Sequence, residues 1–239
     1  MHIDINCDMG EGIGNDAAIM PYITSANIAC GYHAGDEETM RITIELAQKH
    51  GVNIGAHPSF YDRQDFGRTE QKTSSTDVYQ LMMEQLFLFG KIAGVAAAAI
   101  HHVKPHGALY NMAAKNRRLA KAIAQAVKDF DENLVLFGLS GSASITEAKA
   151  VGLKTWSEVF ADRTYQDDGS LTPRSQPNAM IEEEQKAVDQ VLQMVRKGTV
   201  TTVSGNEVPM VAETVCIHGD GKGAAQFAIR LFSVLKASF

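Results

Sequence analysis

The chain has 239 residues, of which 45% are hydrophobic and 21% charged, with a formal net charge of −6. That size and balance suit one α/β domain over residues 1–239, large enough to bury a core without staples. The acidic balance excludes nucleic acid and anionic membrane as natural partners, and three cysteines without a CxxC spacing exclude a disulfide framework.

The start, Met1 to Asp8, has neither a basic n-region nor an apolar h-region, and no apolar run approaches the roughly 18 residues of a membrane span. A cytoplasmic location is expected. The first predicted strand, Ile3 to Cys7, alternates apolar and polar residues and delivers Asp8 and Glu11 into a glycine-rich turn. Asp16 to Ser25 reads as irregular, because Pro21 bars a long helix. Ala26 to Cys30 is a short buried strand that breaks at Gly31 and presents His33. Asp36 then caps a helix to about His50, with Met40, Ile44 and Ala47 as its apolar stripe and Gly51 as its stop.

The third strand, Val52 to Ala56, leads to His57. A polar loop, Pro58 to Thr73, carries Asp62, Arg63, Asp65 and Arg68, and its length is that of a lid or binding loop. A helix from Thr76 to about Gly94, capped by Ser75 or Thr76, buries Leu81, Met82, Leu86 and Phe89. Strand four, Ala98 to Val103, delivers Lys104 and His106. A short helix follows, then Arg117 to Phe130, and strand five is Leu134 to Phe137. Gly138 to Ser142 turns the chain into a helix ending near Val151.

Strand six, Leu153 to Phe160, carries Glu158 and feeds a second polar loop, Ala161 to Ala179, with Asp162, Arg163 and Arg174. Helix Ile181 to Lys197 shows a stripe of Ile181, Val188, Leu192 and Val195. Extended runs Val200 to Val203 and Pro209 to Val211 flank a turn at Ser204 to Asn206. The last strand, Glu213 to Ile217, delivers His218, Gly219 and Asp220 ahead of a helix from Ala224 to Leu235. Strict alternation of strands and helices predicts a parallel sheet wrapped by helices. Seven or so strands, with polar chemistry after nearly every one, predict a (β/α) TIM-like barrel, seven-stranded or irregular. An open doubly wound sheet would gather such residues at one switch point.

A single histidine after a strand is usually a structural hydrogen-bonder. His33, His57, His106 and His218 together, with Asp8 and Glu11, suggest a site. Imidazoles and carboxylates serve as acid–base pairs or hold a divalent metal, for which Asp8, His33 and His57 are the candidate ligands. No HExxH spacing is present, so such a metal site would be assembled from separate loops. Lys104, kept extended by Pro105, either neutralises a carboxylate or oxyanion or snorkels at the rim. Glu158 and Asp162 fall on one side of a strand end. Arg163 either pairs with Asp162 or forks onto a substrate carboxylate, and Arg174 shares its loop.

Arginines on the polar loops of an acidic chain suit an anionic small molecule. No P-loop is present. Gly12 to Ala17 fits a dinucleotide pattern formally, but Asp8, Glu11 and Asp16 would repel a pyrophosphate. Gly138 to Ser142 and the turn bearing Gly219 and Gly221 are better placed to cradle phosphate at a helix N-terminus.

Asp4 to Glu11, Ser25 to Asp36, Gly55 to Pro58 with Phe66 to Arg68, Lys104 to Asn111, Glu158 to Tyr165 and Cys216 to Asp220 resemble, in this order and along the whole chain, the LamB/YcsF family. Two departures are small: Tyr32 stands where phenylalanine is expected, and Ser59 with Phe60 where glycine-tyrosine is commoner. The resemblance implies a barrel of the glycoside hydrolase and deacetylase type. It also implies a 5-oxoprolinase that opens the lactam of 5-oxo-L-proline to L-glutamate, driven by ATP as co-substrate with Mg2+ and working with two partner subunits.

Such a site must hold a carboxylate through Lys104 or Arg163, with Asn6, Arg68, Arg174 and Asp220 as further substrate contacts. It must also activate water through Asp8, Glu11 or a histidine, and protonate the leaving nitrogen. The assignment of roles among them stays open, as does a homo-oligomer. Two other readings remain beside this one: a stand-alone metal-dependent amidase or deacetylase, and a non-catalytic subunit that binds substrate.

Overall fold

The computed structural model of the chain describes residues 3–219, 221 and 223–238. Strands β1 (Asp4–Met9), β2 (Ser25–Ala29), β3 (Asn53–His57), β4 (Ile100–Val103), β5 (Val135–Leu139) and β6 (Lys154–Phe160) follow one another around a barrel. A small antiparallel hairpin, β7 (Thr199–Thr201) and β8 (Glu207–Pro209), lies outside it. Strand β9 (Thr214–Ile217) then inserts between β6 and β1 and closes a seven-stranded, all-parallel barrel. Thr214 marks the seam, paired with Glu158 on one side and Asp4 on the other.

Helices α1 (Asp16–Ile19), α2 (Glu37–His50), α3 (Ser75–Val95), α4 (Gly107–Lys115), α5 (Arg117–Phe130), α6 (Ala143–Ala150), α7 (Glu184–Lys197) and α8 (Ala224–Ser238) wrap the outside. Strand side chains alternate in direction. Ile5, Cys7 and Met9 of β1 therefore lie in the apolar layer under the helices, while Asp4, Asn6 and Asp8 point inward.

The barrel interior is polar, and its buried groups find partners as burial demands. At its floor, Asp4 accepts from Thr24, Ser25 and Thr214. One layer up, Asn27 donates to Asn6, and its carbonyl meets His102 Nε2 at 2.8 Å. His102 in turn stacks on Phe137. A side chain at Gly55 would place its Cβ 2.1 Å from His102 Nε2, so glycine there makes the room for that ring.

Most predicted elements agree with the structure within two residues, and the differences have local causes. Helix α3 is capped by Ser74, one residue before Ser75 and two before Thr76, because Ser74 and Asp77 form a reciprocal capping box. Helix α7 starts at Glu184, since Ile181 is held outside it by a backbone bond to the Asp162 carbonyl. Its buried face is Ala187, Val188, Val191 and Met194, in place of the stripe through Leu192 and Val195. Pro21 falls in a 3-10 turn, Met20–Tyr22, and keeps α1 to four residues. The three cysteines are free and buried; burial pushes the Cys30 thiol up to about 12.

Candidate active site

The parallel strands all end at one rim, and the strand-end residues converge there on a cavity of about 500 Å³. Its lining includes Asp8, Glu11, His57, Arg68, Lys104, His106, Arg163, Arg174, His218 and Gly219. Asp8 comes from β1, His57 closes β3, Lys104 follows β4 and His218 follows β9.

Lys104 is buried at the centre. Its ammonium lies 3.0 Å from Asp8 Oδ1, 2.9 Å from Glu158 Oε1, 3.1 Å from Asn6 Oδ1 and 3.2 Å from Cys216 Sγ. Burial alone would strip the proton from this lysine. The Asp8, Cys216 and Glu158 groups outweigh that and hold its pKa well above the ordinary value. Asp8 shows the mirror image: burial raises it, but the His57 ring and the Lys104 ammonium outweigh burial and keep the carboxyl well below the usual range. Both are charged at neutral pH.

Five side chains, Asp8, Glu11, His33, His57 and His106, meet on one wall. His57 Nδ1 sits 2.6 Å from the Lys104 carbonyl, and its Nε2 lies 2.9 Å from His106 Nδ1 and 3.3 Å from Asp8 Oδ2. His106 Nε2 reaches the Phe66 carbonyl at 2.9 Å. His33 stacks flat on His106, with centroids 3.8 Å apart, and its Nε2 contacts Glu11 Oε1 at 3.0 Å. Burial, followed by the neighbouring His57, pushes the His33 ring down to about 3. Burial likewise carries His106 well below its usual value, so both rings are neutral at physiological pH.

The loop from Pro58 to Thr73 builds this wall as well as covering it. Gly67, at φ 66°, passes so close that an added Cβ would lie 2.9 Å from His106 and 3.0 Å from the His33 Cβ.

On the opposite wall, His218 Nδ1 donates to Asp162 at 2.7 Å, and the His218 ring stacks on Phe160. Burial raises the Asp162 carboxyl, but the His218 ring outweighs it and leaves the acid below its ordinary value. Carboxylate oxygens only accept, so the ring proton sits on Nδ1 and Nε2 is the nitrogen left for proton exchange.

The structure redistributes several residues singled out from sequence. Glu158 is fully buried against Lys104, away from Asp162. Asn6 is buried beneath Lys104, with its amide used by Thr214, Asn27 and Lys104. Arg163 pairs with neither Asp162 nor open solvent. Its guanidinium donates to the Ala179 and Thr172 carbonyls, which pins the long loop, and burial pushes it down to about 10. Lys104 is no rim lysine.

Arg68, over the Phe66 ring at 4.9 Å, and Arg174 are exposed at the cavity mouth. His33 and Asp162 stand one layer behind the lining, and Gly221 is exposed away from it. Asp220 lies outside the described residues.

Tyr110 was missed by sequence reasoning. It lines the cavity, and burial, followed by the nearby Glu158 carboxylate, pushes its hydroxyl well above the ordinary value. Its position one helical turn after His106 was the available signal. Asn27, whose amide donates to Asp8 at 2.8 Å, was hidden inside an apolar-looking strand.

Comparison with known proteins bears on what this site does. The sequence model of the LamB/YcsF family matches residues 3–238. A 5-oxoprolinase subunit from Bordetella pertussis is 55% identical over 234 residues, covering 95% of this chain and 92% of that protein. The crystal structure of a lactam utilization protein from Thermus thermophilus superposes with a TM-score of 0.91 at 39% identity, over 100% of this chain and 97% of the other. A family 4 carbohydrate esterase from Streptomyces lividans (TM-score 0.51, 9% identical, 99% of this chain, 88% of that one) shares the fold alone. So does a GH113 β-1,4-mannanase (TM-score 0.54, 12% identical, 100% of both chains).

Proposed function

The chain belongs to the LamB/YcsF family, and from that premise we infer that it is one subunit of an ATP-dependent 5-oxoprolinase. The reaction is the opening of the 5-oxo-L-proline lactam to L-glutamate. The observation that carries this reading is the 55% identity, over nearly the full length of both chains, to a protein named as one subunit of that enzyme. The cavity suits the chemistry. The substrate is a small cyclic amide with one carboxylate, and Arg68 and Arg174 at the mouth are cations that can receive that anion.

The lactam is a stable amide, so its opening is coupled to ATP. Phosphoryl transfer to the carbonyl oxygen makes the carbon a better electrophile. Water then adds to that carbon, the carbon–nitrogen bond breaks with the nitrogen taking a proton, and a second water cleaves the resulting acyl phosphate, so that glutamate, ADP and inorganic phosphate are the products. His218, held in one tautomer by Asp162, is the group for that proton transfer. The opposite wall of Asp8, Glu11, His57 and His106 holds the attacking water. Lys104 keeps Asp8 ionised, contacts Glu158 at 2.9 Å and has no donor to spare for substrate.

The test is a site series in the complex reconstituted with its partner subunits. His218→Gln should cut ATP-dependent glutamate release about 100-fold or more, the scale of a lost general acid or base. Arg174→Ala should raise KM with a smaller effect on kcat. Full activity of the His218 variant removes the proton-transfer role. Failure of the wild-type complex to release glutamate from 5-oxoproline and ATP removes the reaction itself.

A further inference from the structure

Two imidazoles in the site face each other through one ring nitrogen each. His57 Nδ1 lies 2.6 Å from the Lys104 carbonyl and His106 Nε2 lies 2.9 Å from the Phe66 carbonyl. A carbonyl oxygen only accepts, so each of those nitrogens carries a ring proton, and His57 Nε2 and His106 Nδ1 are the nitrogens turned toward each other. They stand 2.9 Å apart, a spacing that one proton or one cation between or beside them accounts for.

A shared proton would serve the two nitrogens alone. Here two carboxylates close on the same pair: Asp8 Oδ2 at 3.3 Å from His57 Nε2 and Glu11 Oε1 at 3.6 Å from His106 Nδ1. Bonds of about 2.0–2.2 Å from one ion put neighbouring ligand atoms roughly 2.9–3.6 Å apart, between octahedral and tetrahedral edges. The His57–His106, Asp8–His57 and Glu11–His106 pairs are already at those spacings.

We propose that His57 Nε2, His106 Nδ1 and the Glu11 carboxylate bind one divalent transition-metal ion of the zinc class, with Asp8 on its fourth side. Two imidazoles and a carboxylate are the donor set such ions take, with a position left open toward the cavity. The surroundings are those of a metal site. Each ligating histidine donates its second N–H to a backbone carbonyl, which fixes tautomer and ring plane. Phe66, which supplies one of these carbonyls, holds φ 57°, a strained value for a bulky residue. His33 lies parallel to His106 at 3.8 Å, so its in-plane nitrogens cannot converge on the same ion, and its Nε2 steadies Glu11 instead. The donor geometry carries this inference independently of the reaction, and occupancy is read without turnover.

The experiment is titration of the chelator-treated full chain with Zn2+ and Co2+, followed by calorimetry, metal analysis after dialysis and the visible spectrum of bound Co2+. One equivalent per chain is expected, with cobalt bands of nitrogen–oxygen coordination. Glu11→Gln and His106→Gln should weaken binding by about 100-fold or more. His33→Ala should weaken it by about 10–100-fold, the scale of a lost outer partner, with the cobalt spectrum preserved. Circular dichroism checks each variant, and the wild-type titration decides alone where one fails to fold. No saturable binding by the folded wild type overturns the proposal, as does one equivalent bound with unchanged affinity by Glu11→Gln and His106→Gln.

Discussion

Lys104 sets the charge state of the site. One ammonium stands between two buried carboxylates, Asp8 and Glu158, at 3.0 and 2.9 Å. Deleting a single member of such a group is far costlier than its net contribution, because the remaining charges stay buried without a partner. Lys104→Met, which roughly conserves volume, should lower unfolding stability by about 3–5 kcal/mol in urea at neutral pH. The pH dependence has a fixed sign. Asp8 is depressed, so its contribution is complete above the unfolded carboxyl value of about 3.9 and is lost as pH falls through the lower folded value. Lys104 is raised, so its share is complete below about 10.4 and is lost only as pH rises through a still higher folded value. The wild-type advantage should therefore be flat from about pH 5 to pH 10 and shrink in acid. A methionine variant as stable as wild type across that range would mean that the triad returns nothing for its burial.

Elements were legible in the sequence wherever period and punctuation agreed. Helix α2 runs from its Asp36 cap to its Gly51 stop, and α5 occupies Arg117–Phe130 as its apolar spacing predicts. Helix α7 misled because Leu192 and Val195 keep helical spacing from Val188 yet lie on its flank. For the site, the residue types at strand ends were legible. Their pairings were not, because barrel closure decides which distant strands face one another. Arg163 pinned by carbonyls, His33 flat on His106 and Asn27 under Asp8 all depend on that closure. Gly55 is the sharpest case: in sequence it is a weak spot in β3, and in the barrel it is the space for His102 on β4. Gly55→Ala puts a methyl 2.1 Å from a ring nitrogen and should cost about 1–3 kcal/mol as an overpacking change. The double variant with His102→Ala should recover part of that loss. Equal stability of Gly55→Ala and wild type in urea would show that β3 and β4 can separate freely.

At the scale of the whole molecule, the barrel brings acids, imidazoles and arginines to one mouth but supplies little for a nucleotide. The sequence has no P-loop, and Asp8 and Glu11 on one wall of the cavity repel a triphosphate. ATP coupling needs a group that receives the γ-phosphoryl and hands an activated lactam onward; on the proposed function that machinery belongs to the partner subunits, and the barrel is where the activated ring meets water. Mixing the purified chain with 5-oxoproline and ATP should therefore release negligible glutamate. Adding the partner subunits should start release that stops when ATP is left out. Asp8→Ala in that complex should cut turnover by about 100-fold or more, with assembly by size-exclusion chromatography unchanged. Rapid release by the chain alone, with no ATP present, would instead mark it as a simple amidase that opens the ring on its own wall of acids and imidazoles.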